Sequence, residues 1–191
     1  MQLLSEFEIQ YLSPVHHNYP AWPGGERWLQ LYQASTNTQV VITKGLSNGE
    51  NRICEIYLET NDEINAERFS NSWQANLVYE LGKILPNVPD FAQRMEKNKY
   101  LTVQIEVEGV PPEWSLEDEN GNIGLFIGLQ NTFINEFFKP SIPLNIKLMR
   151  PQELLYSIQN DYSGRLQLAE LYLQKGDATI SNLERGGVMH Y

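Results

Sequence analysis

The strongest constraint on the fold of this chain is a set of segments in which apolar and polar residues alternate. In the clearest segment, residues 101–108, the odd-numbered positions are apolar and the even-numbered positions are polar. Similar patterns occur at residues 53–60, 123–129 and 142–148. A period of two places the apolar side chains on one face of a strand, so each segment predicts a strand with one buried and one wet face.

Two further segments bring the predicted number of strands to five or six. Residues 39–44 form a β-branched, apolar run that ends at Gly45, and residues 28–32 give a shorter, weaker signal. Neither segment is followed by a helix long enough to cross over to a parallel neighbour. The strands therefore predict a mixed, mainly antiparallel sheet.

Helical patterns lie between residues 60 and 100 and again after residue 150. Apolar residues recur every four positions from Phe69 to Leu85, and residues 89–98 form a second candidate helix. Pro151 suits the first position of a third helix, and residues 163–175 form a fourth. The inward residues expected on these last two helices are Leu154, Leu155, Ile158, Leu166, Ala169 and Leu173.

Together these elements predict one α+β domain over residues 1–191. Its mixed, mainly antiparallel sheet of five or six strands packs with helices in a two-layer, sandwich-like arrangement.

The charge of the chain limits the kinds of partner it can have. There are 14 Lys and Arg against 24 Asp and Glu, which gives a net charge of −10 at pH 7. Nucleic acids and anionic membranes attract basic surfaces, so neither is an expected partner. The first residues lack a signal-peptide pattern, and no apolar run approaches the roughly 20 residues needed to cross a bilayer. These features predict an acidic, cytoplasmic protein.

The acidic residues are concentrated in one region. Between Tyr100 and Phe138 there is no Lys or Arg. The acidic residues in this stretch are Glu106, Glu108, Glu113, Glu117, Asp118, Glu119 and Glu136. The stretch has two interpretations: a solvated strand face with a turn, or a surface that attracts a basic partner.

The second interpretation predicts a partner-binding surface formed by Glu113, Trp114, Glu117, Asp118 and Glu119. Trp114 lies in the middle of the acidic residues, and aromatic side chains are enriched among the residues that anchor interfaces.

One motif raises the possibility of catalysis. Gly45-Leu46-Ser47-Asn48-Gly49 matches the G-x-S-x-G pattern of serine hydrolases and follows a strand. The next residues lead into another strand rather than a helix, and His190 is the only histidine downstream of Ser47. The motif therefore favours a polar loop, with a small serine hydrolase as the alternative.

Other reactive residues indicate no cofactor or metal. Cys54 is the single cysteine and lies on the apolar face of a predicted strand, where it is expected to be a core residue. His16 and His17 are adjacent, so their side chains point in different directions and do not favour a shared metal. We expect no bound cofactor and no metal.

Several segments resemble the Suppressor-of-fused-like (SUFU) domain family over residues 25–188. They are Val40-Val41-Ile42-Thr43-Lys44-Gly45-Leu46-Ser47, Glu55-Ile56-Tyr57-Leu58-Glu59, the strand from Ile142 to Leu148 with Pro151-Gln152-Glu153-Leu154 after it, and Ile180-Ser181-Asn182-Leu183-Glu184-Arg185. The resemblance implies an α/β domain that binds other proteins and has no enzymatic activity. Bacterial members look like immunity proteins that neutralise a toxin of the same cell.

The sequence thus predicts a non-enzymatic protein-binding domain, such as an inhibitor of a basic toxin. The alternatives are the serine hydrolase and a domain whose acidity only keeps it in solution. The oligomeric state and the identity of the partner are left open by the sequence.

Overall fold

The centre of the fold is a seven-stranded sheet. It is seen in a computed structural model that describes residues 17–20, 27–33, 38–48, 54–116, 121–129, 143–176 and 178–189. The strands are β1 (His17–Pro20), β2 (Trp28–Gln33), β3 (Gln39–Lys44), β4 (Ile56–Thr60), β5 (Leu101–Ile105), β6 (Ile123–Leu129) and β7 (Leu144–Met149). Their order across the sheet is β1-β2-β3-β4-β7-β6-β5.

The sheet is mixed because its two halves meet in parallel. β4 and β7 run parallel, and the other neighbouring strands of the described sheet run antiparallel. The predicted α+β class with a mixed, mainly antiparallel sheet is confirmed. β3 and β6 have the predicted bounds, whereas β1 was not predicted.

Three α-helices accompany the sheet: α1 (Trp73–Ile84), α2 (Phe91–Asn98) and α3 (Pro151–Gln174). The Ser72 hydroxyl caps α1 by accepting a hydrogen bond from the backbone N–H of Ala75 at 3.2 Å. The apolar residues spaced by four that predicted this helix are buried in the core that it shares with the sheet, Leu77 and Leu81 fully.

The helix α3 folds back on itself. Asp161 has φ 46° and ψ −125°, which breaks the helix into arms at residues 151–160 and 162–174. The hydroxyl of Tyr172 donates to the Glu153 carboxylate at 2.8 Å, although 19 residues of straight helix would span about 28 Å. The two arms are therefore antiparallel and correspond to the two separate helices predicted from the sequence.

Helices cover both faces of the sheet, so the fold has three layers rather than the expected two. The core on one face joins Leu125, Ile127 and Leu148 to α1. The core on the other face joins Phe126 and Met149 to α3. The residues alternate along β6 and β7, as side chains on opposite faces of a strand must.

The second face of β4 and β7 was expected to be wet, and that expectation is wrong. Glu59 of β4 and Glu55, directly before this strand, are buried, and so are Asn145 and Lys147 of β7. Their polar groups hydrogen-bond to loops and to residues 178–189, which lie over this face. Burial here comes from tertiary packing, which a two-residue period does not reveal.

The expected inward faces of α3 are partly wrong. Leu154 and Ala169 are buried, but Leu155, Ile158 and Leu173 are 45%, 50% and 49% exposed. The two arms contribute Leu154, Leu168, Ala169 and Tyr172 to one core, whereas the three exposed residues lie outside it. Among the described residues, no helix has the length and apolar character to cross a membrane.

Gly124 permits the close approach of α3 to β6. A Cβ atom at this position would lie 2.8 Å from Leu154 Cδ2 and 2.9 Å from Leu154 Cβ. We therefore expect Gly124→Ala to lower the free energy of unfolding by about 1–3 kcal/mol, because the first arm of α3 must move away.

Urea denaturation measures this effect, and Gly186→Ala is the control. A Cβ atom at Gly186 meets nothing within 4 Å, so this substitution introduces no clash. Equal stability losses in the two variants would contradict the proposed packing constraint.

Candidate functional site

Residues 178–189, here called the C-terminal segment, lie between the diverging ends of β4 and β7. These strands pair only at Ile56–Leu144 and Tyr57–Asn145. Beyond that point, the N–H of Ser181 donates to the Glu59 carbonyl at 2.7 Å. On the other side, the backbone N–H of Leu148 donates to the Ser181 hydroxyl at 2.9 Å. The segment thus joins the two halves of the sheet.

Three basic side chains donate to backbone carbonyls of the C-terminal segment. Lys147 donates to Ile180, and Lys175 donates to Gly187 at 2.8 Å. Arg150 donates through Nε to the Arg185 carbonyl at 2.9 Å and through Nη2 to the same oxygen. These contacts attach the segment to β7 and to both ends of α3.

A fourth basic residue, Arg185, forms a buried ion pair with Glu153. The Arg185 side chain is 5% exposed and the Glu153 side chain is fully buried, and the closest N–O distance is 2.6 Å. Arg185 Nη2 also donates to the Leu148 carbonyl at 2.6 Å. The pair therefore connects the segment, the end of β7 and the first turn of α3.

Both oxygens of the Glu153 carboxylate accept hydrogen bonds. Besides Arg185, it accepts from the backbone N–H groups of Arg150 and Val188 and from the Tyr172 hydroxyl, at 2.8–2.9 Å. Burial acts to raise the pKa of Glu153, but the Arg185 guanidinium and these hydrogen bonds together bring the pKa below its usual range. Glu153 is therefore charged, and Arg185 neutralises it.

Trp114 lies beneath these arginines. Its ring is fully buried, and the Arg150 guanidinium stacks over it at 3.7 Å from the ring centroid. The expectation of an exposed aromatic anchor for a partner is thus not met. Trp114 instead supports Arg150 through a cation–π contact.

Arg150 is not paired with a carboxylate among the described residues. Burial and the neighbouring Arg185 lower its pKa, while Glu153 and Glu113 act in the opposite direction. A cavity of about 410 Å³ opens beside it, lined by Arg150, Gln152, Glu153, Gly186, Gly187 and Met189. A second cavity of about 350 Å³ on the other side of Arg185 is lined by groups of both charges.

Of the predicted partner-binding surface, the structure describes Glu113, which is exposed, and Trp114, which is buried. Glu113 lies on the short turn Pro112–Trp114 and faces solvent, as do Glu106 and Glu108. None of the three forms an ion pair with a described residue. The other predicted members, Glu117, Asp118 and Glu119, lie outside the described residues.

Ser47 is part of a loop that binds a carboxylate of the same chain. The backbone N–H groups of Gly45, Leu46 and Ser47 donate to the Glu55 carboxylate at 3.0–3.2 Å. The Ser47 and Thr43 hydroxyls add hydrogen bonds to Glu55 at 2.7 and 2.6 Å. The amides that would stabilise an oxyanion in a hydrolase therefore already bind Glu55.

Cys54 is buried, as predicted for a core residue. Burial and the nearby Glu55 raise the pKa of its thiol to about 12, so the group stays protonated at neutral pH. Within the described ranges, no cluster of three or more His, Cys, Asp or Glu side chains is arranged to hold a metal ion.

Sequence reasoning missed the charged groups that organise this region: Glu55, Lys147, Arg150 and Glu153. Glu55 and Lys147 occupy the polar positions of alternating strands, and that pattern is also typical of an exposed face. Glu55, Glu153 and Arg185 were noted only within segments of resemblance, without a role. The one available sequence signal for Arg150 and Glu153 was their position beside Pro151, the predicted start of α3.

Comparison with known proteins gives no further guide. No family model, curated protein or solved structure matches this chain.

Proposed function

We propose that this chain is a non-enzymatic protein-binding domain that inhibits a basic partner by covering part of its surface. The observation that carries the proposal is the exposure of Glu106, Glu108 and Glu113, in a stretch without Lys or Arg. Like charges on one side of a protein accelerate encounter with an oppositely charged partner and orient it.

Exposed apolar residues support the same proposal. Leu155 and Ile158 lie on the first arm of α3, about half exposed. This arm begins at Arg150, which stacks on Trp114 immediately after Glu113. Acidic and apolar groups on adjoining elements suit a partner that is steered by charge and held by apolar burial.

The interior also favours binding over catalysis. Ser47, the candidate nucleophile, donates a hydrogen bond to Glu55, and both carboxylate oxygens of the buried Glu153–Arg185 ion pair accept hydrogen bonds. These groups stabilise the fold. The resemblance to Suppressor-of-fused-like domains agrees with an inhibitor, including the immunity type found beside a toxin.

The test is a charge reversal with a matched control. Glu106→Lys, Glu108→Lys and Glu113→Lys are combined in one variant, and Glu63→Lys, Glu67→Lys and Glu96→Lys in another. All six residues are exposed. Each variant replaces three glutamates by lysine, so both change the net charge of the protein by the same amount. Each variant and the unchanged protein are used to capture partners from the native cell, and the affinity of the purified partner is then measured at two salt concentrations.

We expect a basic protein to bind the unchanged chain and the control variant with similar affinity. The first variant should bind at least about tenfold more weakly and with a smaller salt dependence. Equal binding by both variants would reject this surface. Hydrolysis of an activated ester that disappears in Ser47→Ala would instead support the hydrolase alternative.

A further inference from the structure

The cavity beside Arg150 combines a positive charge with open space. Its volume of about 410 Å³ is within the usual range for small-molecule sites. The Glu153 carboxylate in its wall is neutralised by Arg185. Arg150 therefore supplies the charge that remains uncompensated at the cavity.

Arg150 also has a guanidinium nitrogen that can donate hydrogen bonds to a ligand. Its Nε and Nη2 groups are directed to the Leu183 and Arg185 carbonyls, while Nη1 has no partner among the described residues. The cation–π contact with Trp114 and the two carbonyls fix the plane of the guanidinium. The free nitrogen is thus held in place by the remaining contacts of the side chain.

Two glycines, Gly186 and Gly187, also line the cavity. The N–H groups of Gly186 and Gly187 form no hydrogen bond with described residues. A Cβ atom at Gly186 would meet nothing within 4 Å, and one at Gly187 would come no closer than 3.9 Å to Glu153 Oε1. Both glycines leave space at the cavity that a side chain would fill.

The surrounding charges limit the ligand. Glu113 is the other acidic group acting on Arg150, and it is exposed and forms no ion pair with it. One uncompensated guanidinium with one free nitrogen matches a single negative charge better than the double charge of a phosphate monoester. Charge-assisted hydrogen bonds from an arginine and from backbone N–H groups are typical of carboxylate binding.

We propose that this cavity is a carboxylate-binding site, in which Arg150 Nη1 and the amides of Gly186 and Gly187 bind the carboxylate oxygens. The carboxylate comes either from a small organic acid or from the terminus of a peptide. Glu113 acts electrostatically on Arg150 but does not line the cavity, and the proposal does not depend on the proposed partner.

The test follows the backbone amide signals of Gly186 and Gly187 by NMR during titration with sodium acetate. Sodium chloride at the same ionic strength and inorganic phosphate are titrated in parallel. We expect saturable shifts at both glycines with acetate and no saturation with chloride. Phosphate binding tighter than acetate, or equal shifts with acetate and chloride, would overturn the proposal.

Two variants locate the site. Arg150→Gln should weaken acetate binding at least about tenfold, since one charge-assisted hydrogen bond contributes about 1.5–3 kcal/mol. Arg94→Gln removes the same charge from an exposed position on α2 and should leave binding unchanged. Unaltered binding in Arg150→Gln would reject the assignment.

A second substitution keeps the test valid if Arg150→Gln unfolds. Gly186→Ala combined with Gly187→Ala narrows the cavity without a close contact, and it should also weaken acetate binding. Unchanged binding in this variant would reject the cavity as the site.

Succinate and N-acetyl-triglycine, compared in the unchanged protein, distinguish the two sources of the carboxylate. Tighter binding of succinate indicates a small organic acid, and tighter binding of N-acetyl-triglycine indicates a peptide terminus.

Discussion

Glu153→Gln should lower the free energy of unfolding by about 3–5 kcal/mol, because it leaves the Arg185 guanidinium buried without its counter-charge. Glutamine has nearly the same shape as glutamate, so the loss reports charge and hydrogen bonding rather than a cavity. The five donors that converge on the carboxylate cannot all be accepted by one amide oxygen. Urea denaturation followed by circular dichroism measures the change.

The control is an exposed ion pair of the same length. Lys83 and Glu80 also approach to 2.6 Å, but their side chains are 43% and 32% exposed. Glu80→Gln should cost less than about 1 kcal/mol, since water solvates both partners when the pair is broken. Similar losses in Glu153→Gln and Glu80→Gln would show that burial of the pair has no energetic consequence.

The same residue sets a pH dependence. Because the folded pKa of Glu153 lies below its unfolded value, its contribution is present above the unfolded pKa and is lost as pH falls through the folded pKa. The unchanged protein should therefore lose stability below about pH 4, near the ordinary pKa of glutamate. Glu153→Gln should lose less over the same interval.

Glu55→Ala should lower the free energy of unfolding by about 3 kcal/mol or more, because several buried donors lose their acceptor together. Three backbone N–H groups and two hydroxyls from residues 43–47 donate to this carboxylate. The loop between β3 and β4 should also become more sensitive to protease. Denaturant unfolding and limited proteolysis measure the two effects.

Ser47→Ala is the matched control for Glu55→Ala. It removes one hydroxyl and leaves the three amide hydrogen bonds in place, so about 1 kcal/mol is expected. A loss in Ser47→Ala as large as that in Glu55→Ala would mean that the serine, rather than the carboxylate, organises the loop.

Local patterns predicted most of the secondary structure. β3 and β6 were bounded correctly, since Gly45 ends one run and the alternation in the other is uninterrupted. The two arms of α3 were also expected as separate helices. Their connection through Asp161 was not, because a positive φ at an aspartate has no dependable sequence signal.

The candidate site was much less predictable. Glu153, Arg185 and the carbonyls bound by Lys147 and Arg150 come together only when the C-terminal segment reaches the sheet. No spacing rule links positions more than 30 residues apart. Trp114 shows the same difficulty, since a tryptophan among acidic residues looks exposed until Arg150 and the neighbouring cores are placed around it.

The C-terminal segment has a consequence for the timing of folding during synthesis. Thr179 donates to Glu59 across 120 positions of the chain. At 5–20 residues per second, a ribosome needs roughly 6–24 s to travel that distance. During this interval β4 lacks the neighbour that completes its edge, so the nascent protein is expected to be vulnerable to aggregation until residue 189 has been translated.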